Sequence, residues 1–315
     1  MSQVNQNFFK KHDEEGGSRR VLHNWNLKLV GFLAITWSLF QLWYASPLPF
    51  ILDFGKFIDV PARAIHLAFG MGLCFLAYPA IKSKRNSSIN ISDYTLAFIS
   101  TLATIYLVIE YEGLVYRQGI LASLNFFGLK IPYELILGGL GIILLLEATR
   151  RAIGIPLVAI ALIFLLFSIF GQKMPDLISH QGLSITRLVG YHWFGGEAIF
   201  GIPISVSVSF IFLFVLFGAT LDAAGGGKYF LNLAFALVGK MRGGPAKAAI
   251  LASGLTGLIS GSSVANTVTT GTFTIPIMKR TGLSPTKAGA IEVAASVNGQ
   301  IMPPIMGAAA FVMAE

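Results

Sequence analysis

The pattern of hydrophobic and polar positions is dominated by long apolar runs, which short polar stretches separate. Apolar runs that approach or exceed about 18 residues are typical of helices that cross a membrane. Six such helices are predicted, over residues 29–45, 64–81, 94–109, 131–146, 152–170 and 203–221. The predicted fold class is therefore an all-α polytopic integral membrane protein.

The succession of these runs divides the chain into four predicted regions. They are a charged tail over residues 1–24, a four-helix membrane block over 25–151, a connecting span with an external segment over 152–202, and a last membrane region over 203–315. No polar side chain is expected at the centre of the four-helix block, and His66 is placed at a helix end. A scaffold role is therefore predicted for this block.

Charged residues are few and unevenly distributed. Hydrophobic residues make up 54% of the 315 and charged residues 12%, with a net charge of +8 and a mean hydropathy of +0.70. With a cytoplasmic N-terminus, 17 Lys and Arg residues lie inside and 6 outside, while the acidic residues divide evenly. This bias follows the positive-inside rule, so the excess charge predicts an orientation and no nucleic-acid partner. The single cysteine, Cys74, excludes an internal disulfide.

Two shorter stretches leave alternatives open. The aromatic segment "YHWFGGEAIFG" (191–201) is either a stretch that lies on the membrane surface or a docking face for an external partner. The apolar run 229–239 is too short to cross a bilayer of about 30 Å and predicts an interfacial or bracing helix. Lys228 precedes a tyrosine instead of the Ser or Thr of a phosphate-binding loop, so the nearby glycines predict no ATPase.

A hydroxyl-rich segment, "SGSSVANTVTTGTFTIP" from Ser260 to Pro276, lies in a charge-free stretch between Lys247 and Lys279. Basic residues at both ends favour the cytoplasmic side for each end, which predicts a re-entrant helical hairpin over about 245–279. About thirteen helical residues descend roughly 20 Å from Lys247, to a predicted break at "SGSSVAN" (260–266). The alternative is a single membrane helix whose Ser and Thr side chains bond back to the backbone.

A second break is predicted at "NGQIMPP" (298–304), inside a helix over about 286–311. Asn-Gly followed by two prolines cannot remain a regular helix, because proline lacks the backbone donor and clashes with the preceding turn. Two breaks at similar depth are typical of the binding site of a secondary transporter. Glu292, about one turn below the second break, is either a functional carboxylate or a solvated one paired with Lys287.

Three stretches carry a family resemblance. "RGGPAKAAILASGLTGLISGSSVANTVTTGTFTIPIMKRTG" (242–282) and "NGQIMPPIMGAAAF" (298–311) resemble the large permease subunit of the TRAP transporters. The "EATRR" (147–151) that ends the four-helix block resembles the fused small-plus-large permeases of the TAXI branch. The resemblance implies a sodium-coupled importer of organic acids, such as dicarboxylates or amino acids, in the inner membrane of a prokaryote.

The same resemblance implies partners and architecture. Substrate would come from a periplasmic solute-binding protein, and residues 203–315 would be the first half of an inverted-repeat, elevator-like transport domain. The sequence ends at Glu315, just after the first half's broken helix. The resemblance therefore implies a fragment, a truncated reading frame or a split protein whose remaining half lies elsewhere, and it places membrane lipid around the helices.

The residues of the site are also implied by the resemblance. The predicted sodium ligands are Ser260, Gly261, Ser262, Ser263, Asn266, Asn298 and Gly299. The predicted substrate-binding residues are Ser263, Asn266, Thr267, Thr270 and Pro303. Many members of the family carry Asp where this chain has Asn266, so no charge-based role is carried over to this position. No organic cofactor is expected.

Two other functions are compatible with parts of the pattern. A serine enzyme would use Ser262 or Ser263, but no histidine or lysine lies at that depth to act as the base. A cation channel is a further alternative, because broken helices with free carbonyls also build selectivity filters. A transporter that is not an enzyme is the predicted class.

Overall fold

The computed structural model describes residues 19–81, 88–117, 120–126, 129–303 and 305–314, and most of them are helical. The helices in chain order are α1 (Asn24–Ala45), α2 (Leu48–Ile51), α3 (Asp59–Ala77), α4 (Ile91–Tyr116), α5 (Tyr133–Ala152), α6 (Ile155–Phe170), α7 (Ile185–Val189), α8 (Ile202–Ala223), α9 (Gly226–Val238), α10 (Gly244–Ser260), α11 (Ser263–Arg280), α12 (Pro285–Ser296), α13 (Asn298–Ile301) and α14 (Ala308–Ala314). A π-helical segment, Gly190–Phe194, follows α7, and another, Ser207–Ile211, lies within α8. The all-α prediction missed a small antiparallel hairpin of β1 (Leu124–Phe126) and β2 (Leu129–Ile131).

Five helical stretches in the described part of the chain are long and apolar enough to cross a membrane: α1, α3, α4, Ile155–Lys173 and α8. The predicted span that became α5 is not among them, because Glu134 lies near its start and Glu147, Arg150 and Arg151 lie near its end. Its charge-free centre, residues 135–146, is only about 18 Å long. The polytopic membrane class is confirmed, with five spans by this criterion instead of six.

The chain forms two compact units, Met1–Ser205 and Val206–Glu315. In the first unit, α3 packs against α1, α4 and α5, and its core includes the fully buried Phe75, Leu107 and Trp193. In contrast, α6 has no buried residue and exposes a nearly continuous apolar surface. Contact of such a surface with water is unfavourable, whereas contact with the apolar tails of lipids is not. Helix α6 is therefore suited to face the bilayer.

The aromatic segment after α7 packs inside the first unit. Trp193 and Phe194 are buried and lie against Gly141 and Gly138 of α5, where a Cβ atom would overlap the aromatic rings. Glycines on one face of α5 therefore let bulky side chains approach the helix backbone. Both alternatives for this segment are wrong for Trp193 and Phe194, although Tyr191 remains exposed.

Polar side chains lie inside the first unit, contrary to the prediction. His66 is in the middle of α3, not at its end, and only 8% of its surface is exposed. Its Nδ1 atom contacts the amide nitrogen of the fully buried Gln41 and accepts a hydrogen bond of 3.2 Å from Trp37 Nε1. One glutamine barely changes the hydropathy of a long apolar run, which is why the pattern did not reveal this contact.

Charged side chains fasten both ends of α4 to α5. Asp93 of α4 accepts hydrogen bonds from Arg20 (2.7 Å) and Arg151 (2.8 Å), and all three residues are buried. At the opposite end, Glu134 accepts a bond of 2.8 Å from Arg117, and this bond raises the pKa of Arg117. The Asp93 pairs are buried, and Glu134 is buried against a half-exposed Arg117. A buried charge is costly to separate from its partner, so these contacts fix the two helices against each other.

The second unit is built around α10. This helix packs against α9, α11, α12 and α13, and its buried face consists largely of small residues, among them Ala248, Ala252 and Gly257. The short helix α9 agrees with the prediction of a helix too short to span, since it buries Leu231 and exposes Tyr229. The small residues allow the backbones to approach closely, as in other membrane helix bundles.

Candidate substrate and ion site

A two-residue break separates α10 from α11. Gly261 ends α10 with a φ of +57°, a left-handed conformation that glycine adopts without strain. Ser262 caps α11, because its hydroxyl accepts a hydrogen bond of 3.3 Å from the Ala265 amide. The predicted break at 260–266 is thus narrower in the structure, since Ser263–Arg280 is already helical. The helix–break–helix order of the predicted hairpin is present.

The second break lies a few residues later than predicted. Asn298 and Gly299 are helical residues of α13, and the Asn298 carbonyl accepts a hydrogen bond of 3.1 Å from the Met302 amide. The irregular backbone covers residues 302, 303 and 305–307 instead of 298–304, and Pro304 lies outside the described residues. Met306 there has a φ of +43°, which is uncommon for a residue with a side chain.

The two breaks meet in space. A Cβ atom on Gly261 would overlap the Met306 carbonyl and lie 2.9 Å from the Ile305 side chain. Gln300 Nε2 donates a hydrogen bond of 3.0 Å to Ser263 Oγ. The hairpin tip and the second broken helix therefore contact each other, and a shared binding site at this contact stays a prediction.

Two glycines, Gly257 of α10 and Gly299 of α13, let these two helices approach each other closely near the breaks. A Cβ on Gly257 would lie 2.6 Å from Gly299 Cα, and a Cβ on Gly299 would lie 2.9 Å from Asn266 Nδ2. Neither position has room for a side chain. Gly299 therefore serves close packing here, whatever else it contributes to the site.

Asn266 is fully buried at the junction of α10, α11 and α12. Its Nδ2 donates hydrogen bonds to the Ser253 carbonyl (2.9 Å) and to Ser253 Oγ (2.8 Å), and Ser253 Oγ donates to the Ala295 carbonyl at 2.8 Å. Its Oδ1 is buried without a protein partner. Unpaired buried acceptors are rare, and each calls for an explanation.

Glu292 is fully buried between α11 and α12. Its two carboxyl oxygens contact Thr270 Oγ1 and Thr274 Oγ1, and Gly271 lies against its aliphatic part. The solvated alternative and the pairing with Lys287 are therefore both wrong, because Lys287 is exposed. The other alternative, a functional carboxylate, stays a prediction.

The predicted site residues are not equally accessible. Asn266, Gly299 and Thr270 are buried, Pro303 is exposed, and the others are half-buried: Ser260, Gly261, Ser262, Ser263, Thr267 and Asn298. A cleft of about 380 Å³ in the same unit is lined by Lys247, Gly254, Asn298 and Met302, among others. Asn298 is the predicted residue that borders this cleft.

Four residues of the site escaped the sequence prediction or were left undecided: Ser253, Glu292, Ser296 and Gln300. A signal for two of them existed, because Glu292 and Ser296 are four residues apart on α12, just as Asn266, Thr270 and Thr274 are on α11. Residues four apart share one helix face. Among the described residues, no cluster of three or more His, Cys, Asp or Glu side chains suits a transition metal.

Interrupted helices that meet at their breaks, in a multi-pass apolar chain, are typical of secondary transporters. The family model "Tripartite ATP-independent periplasmic transporter, DctM component" matches residues 140–315, and the chain belongs to this family. The expected family resemblance is confirmed, and the family is one of transporters, which disfavours the serine-enzyme alternative. The fused TAXI-type arrangement stays a prediction.

Two curated proteins are similar to parts of the chain. It is 33% identical over 173 residues to "Uncharacterized protein YgiK" of Salmonella typhimurium (strain LT2). This alignment covers 55% of the present chain and 35% of that protein. It is also 33% identical over 100 residues to "Putative TRAP transporter large permease protein" of Haemophilus influenzae (strain Rd). This second alignment covers 32% of the present chain and 24% of that protein. The chain thus spans about a third or less of these relatives. No solved structure matches it.

Proposed function

We propose that this chain is part of the permease of a sodium-coupled secondary transporter that imports organic acids across the inner membrane of a prokaryote. A periplasmic solute-binding protein delivers the substrate. The observation that carries this proposal is the meeting of Gly261, at the hairpin tip, with the carbonyl of Met306 in the second break. Family membership supports the transport class, and the coupling ion and substrate class are the proposed part.

The oxygen atoms around the breaks suit a hard cation. Sodium, like other hard cations, prefers carbonyl, amide and hydroxyl oxygens. Asn266 Oδ1 is buried and lacks a protein partner. The last carbonyl groups of a helix have no hydrogen-bond donor within that helix, and the carbonyl of Ser260 is the last one of α10. We assign the ion to these groups together with Gly261, Ser262, Ser263, Asn298 and Gly299. When bound, sodium supplies positive charge beside an anionic substrate.

Substrate contact is proposed for the accessible part of the site. Ser263, Thr267 and Pro303 reach the surface, and the N-terminal end of α11 favours an anionic group. Asn266 and Thr270 are buried in the described conformation, so they act on substrate only through the residues around them.

Transport by the complete permease tests the proposal. We expect uptake of an organic acid into proteoliposomes to require both a sodium gradient and the solute-binding protein. Thr149→Ala, at the distant end of α5, is the matched control and should leave uptake unchanged, since its hydroxyl bonds only within its own helix. Ion currents without saturable, binding-protein-dependent uptake would instead identify a channel.

The orientation of the hairpin is a separate prediction. In a Cys74→Ser background, single cysteines are introduced at Lys247, Arg280 and Lys56, all of which are exposed. An impermeant thiol reagent applied to intact cells should label position 56 and leave positions 247 and 280 unlabelled until the membrane is opened. Labelling of position 280 from outside would show that α10 and α11 cross the membrane as one span.

A further inference from the structure

Two cavities of the first unit lie along the same side of α1. The first has a volume of about 280 Å³, lies at the start of α1, and is lined by residues 21–26, Ser88 and Ile89. The second has a volume of about 260 Å³ and lies further along, between α1, α3 and α4; it is lined by Leu33, Ile65, Ala68, Phe69, Gly72, Leu73, Thr101 and Ile105. Both are separate from the helix breaks, which belong to the second unit.

A hydrogen bond sets the register of α1 against α4. Tyr94 of α4 donates its hydroxyl proton to Asn26 Oδ1 of α1 at 2.7 Å. Because α3 returns the chain across the membrane, α1 and α4 run in the same direction. Leu33 and Thr101 each lie seven residues beyond this bond, which is nearly two turns and about 10 Å along the helix axis. The two cavities are therefore successive parts of one groove, the α1–α4 seam, which crosses the surface of α3.

The first cavity offers hydrogen-bond donors. Asn26 Oδ1 is occupied by Tyr94, which leaves the Nδ2 group of Asn26 as a donor. Ser88 and His23 also border the cavity, and both are exposed. The first backbone N–H groups of α1 have no acceptor within the helix, and no side chain caps them. Donors of these kinds suit the oxygen atoms of a phosphate group.

The charge around the first cavity is positive. Arg19 lies two residues before it and Lys28 two residues after it, and both are exposed. Arg20, next to the lining residue Val21, is buried, and its Nε and Nη1 atoms lack a partner in the described part of the chain. Arg20 belongs to a cluster that holds one more arginine than acid: Arg20, Arg150 and Arg151 with Asp93 and Glu147. Since both acids are already paired, an anion is the complementary ligand.

The second cavity is apolar and lies among membrane-spanning helices. Its one polar lining side chain, Thr101, donates its hydroxyl proton to the Ala97 carbonyl at 2.8 Å. The helices α1, α3 and α4 are all long and apolar enough to cross a membrane, and the lining residue Ile105 is 38% exposed. A hydrocarbon chain is therefore the occupant that this cavity suits.

We infer that the α1–α4 seam binds one anionic phospholipid, with its headgroup in the first cavity and an acyl chain in the second. A free phosphate ion would use only the first cavity, and a lipid without net charge would not use the excess of basic residues. In the proposed orientation, this lipid belongs to the cytoplasmic leaflet. It adds contacts to α1, which buries only Val30 and Gln41 against the protein. The inference goes beyond the transport proposal and does not depend on it.

Lipid binding to the purified full chain tests the inference. Native mass spectrometry in detergent would measure the affinity for phosphatidylglycerol and for phosphatidylcholine with the same acyl chains. We expect one phosphatidylglycerol per chain, bound about fivefold more tightly or better, because a basic residue near the headgroup favours an anionic lipid by about this factor. Inorganic phosphate should not displace it. Equal affinities for the two lipids, or displacement by inorganic phosphate, would overturn the inference.

Asn26→Asp tests the headgroup cavity. The carboxylate keeps an acceptor for Tyr94 but adds a negative charge, so the affinity for phosphatidylglycerol should fall about fivefold or more, with little change for phosphatidylcholine. Asn232→Asp is the matched control, because it adds the same charge at an exposed position of α9, and it should bind both lipids like the wild type. An Asn26→Asp protein with unchanged selectivity would contradict the headgroup assignment.

Leu33→Trp tests the acyl cavity. The larger side chain takes the space of the acyl chain, so the affinity for both lipids should fall about tenfold or more, since each buried methylene contributes to lipid binding. Ile35→Trp, on the same helix at a position that is 62% exposed, is the control and should bind normally. Unchanged binding by Leu33→Trp would overturn the inference. A wild-type dimer without lipid would do so as well, since a second copy of the chain would then cover the seam.

Discussion

Gly261→Ala is expected to destabilise the hairpin tip and to abolish transport by the complete permease. Gly261 has a φ of +57°, where a residue with a Cβ atom is strained by about 1–2 kcal/mol. The new methyl group would also collide with the Met306 carbonyl and approach Ile305, and overpacking of this kind costs about 1–3 kcal/mol more. The substitution therefore pushes the two breaks apart.

Gly282→Ala is the matched control for this prediction. Gly282 also has a left-handed backbone, with a φ of +96°, but a Cβ there would meet nothing within 4 Å. Thermal unfolding in detergent should show a small loss of stability for Gly282→Ala and a clearly larger one for Gly261→Ala. Equal losses would mean that backbone strain alone matters and that the breaks do not depend on contact at Gly261.

Asn266→Asp is expected to have the second large effect. The amide nitrogen of Asn266 donates to the Ser253 carbonyl at 2.9 Å and to Ser253 Oγ at 2.8 Å. A carboxylate cannot donate, and it would place a buried charge against a carbonyl oxygen. Burial of a charge without its partner costs about 3–5 kcal/mol. In potassium buffer at neutral pH, the variant should therefore unfold well below the wild-type temperature.

The response of Asn266→Asp to sodium and to acid distinguishes the reasons for this loss. If Asn266 binds sodium, the added charge binds it more tightly, so sodium should raise the unfolding temperature of the variant more than that of the wild type. Acidification towards about pH 4, the ordinary range for Asp, neutralises the carboxylate and should also restore stability. Asn266→Ala, which introduces no charge, should lose about 1–3 kcal/mol and should not recover with acid. If sodium leaves the unfolding temperature of Asn266→Asp unchanged, Asn266 is not a ligand of the ion.

The order of the elements was predictable because it depends on runs of residues. Hydropathy is summed over many positions, so the helix around Phe164 was placed within three residues of its observed bounds, whereas the helix around Leu107 continues to Tyr116, seven residues beyond its predicted end at 109. The breaks were found because Gly261 and Pro303 act locally on the backbone. Their extent was misplaced because Ser262 caps α11 at once, and because Asn298 stays helical when its carbonyl finds the Met302 amide.

Side-chain partners across helices were not predictable in the same way. Gln41 and His66 meet only because α1 packs against α3, and Trp193 is buried only because α5 has glycines at the point of contact. Glu292 was recognised as a candidate, but its burial depends on the threonine face of α11. A sequence specifies which groups are available, whereas the packing of distant segments decides which of them lose contact with water.

The π-helical segment Ser207–Ile211 within α8 has a consequence for comparing relatives of this chain. A π turn contains one more residue than an α turn, so this helix holds a single surplus residue whose removal would restore a regular helix. Deletion of one residue elsewhere in α8 would rotate everything beyond it by about 100°. A relative that lacks one residue at 207–211 therefore keeps the orientation of the rest of the helix. A relative that lacks one residue elsewhere in the helix would present different side chains to its neighbours.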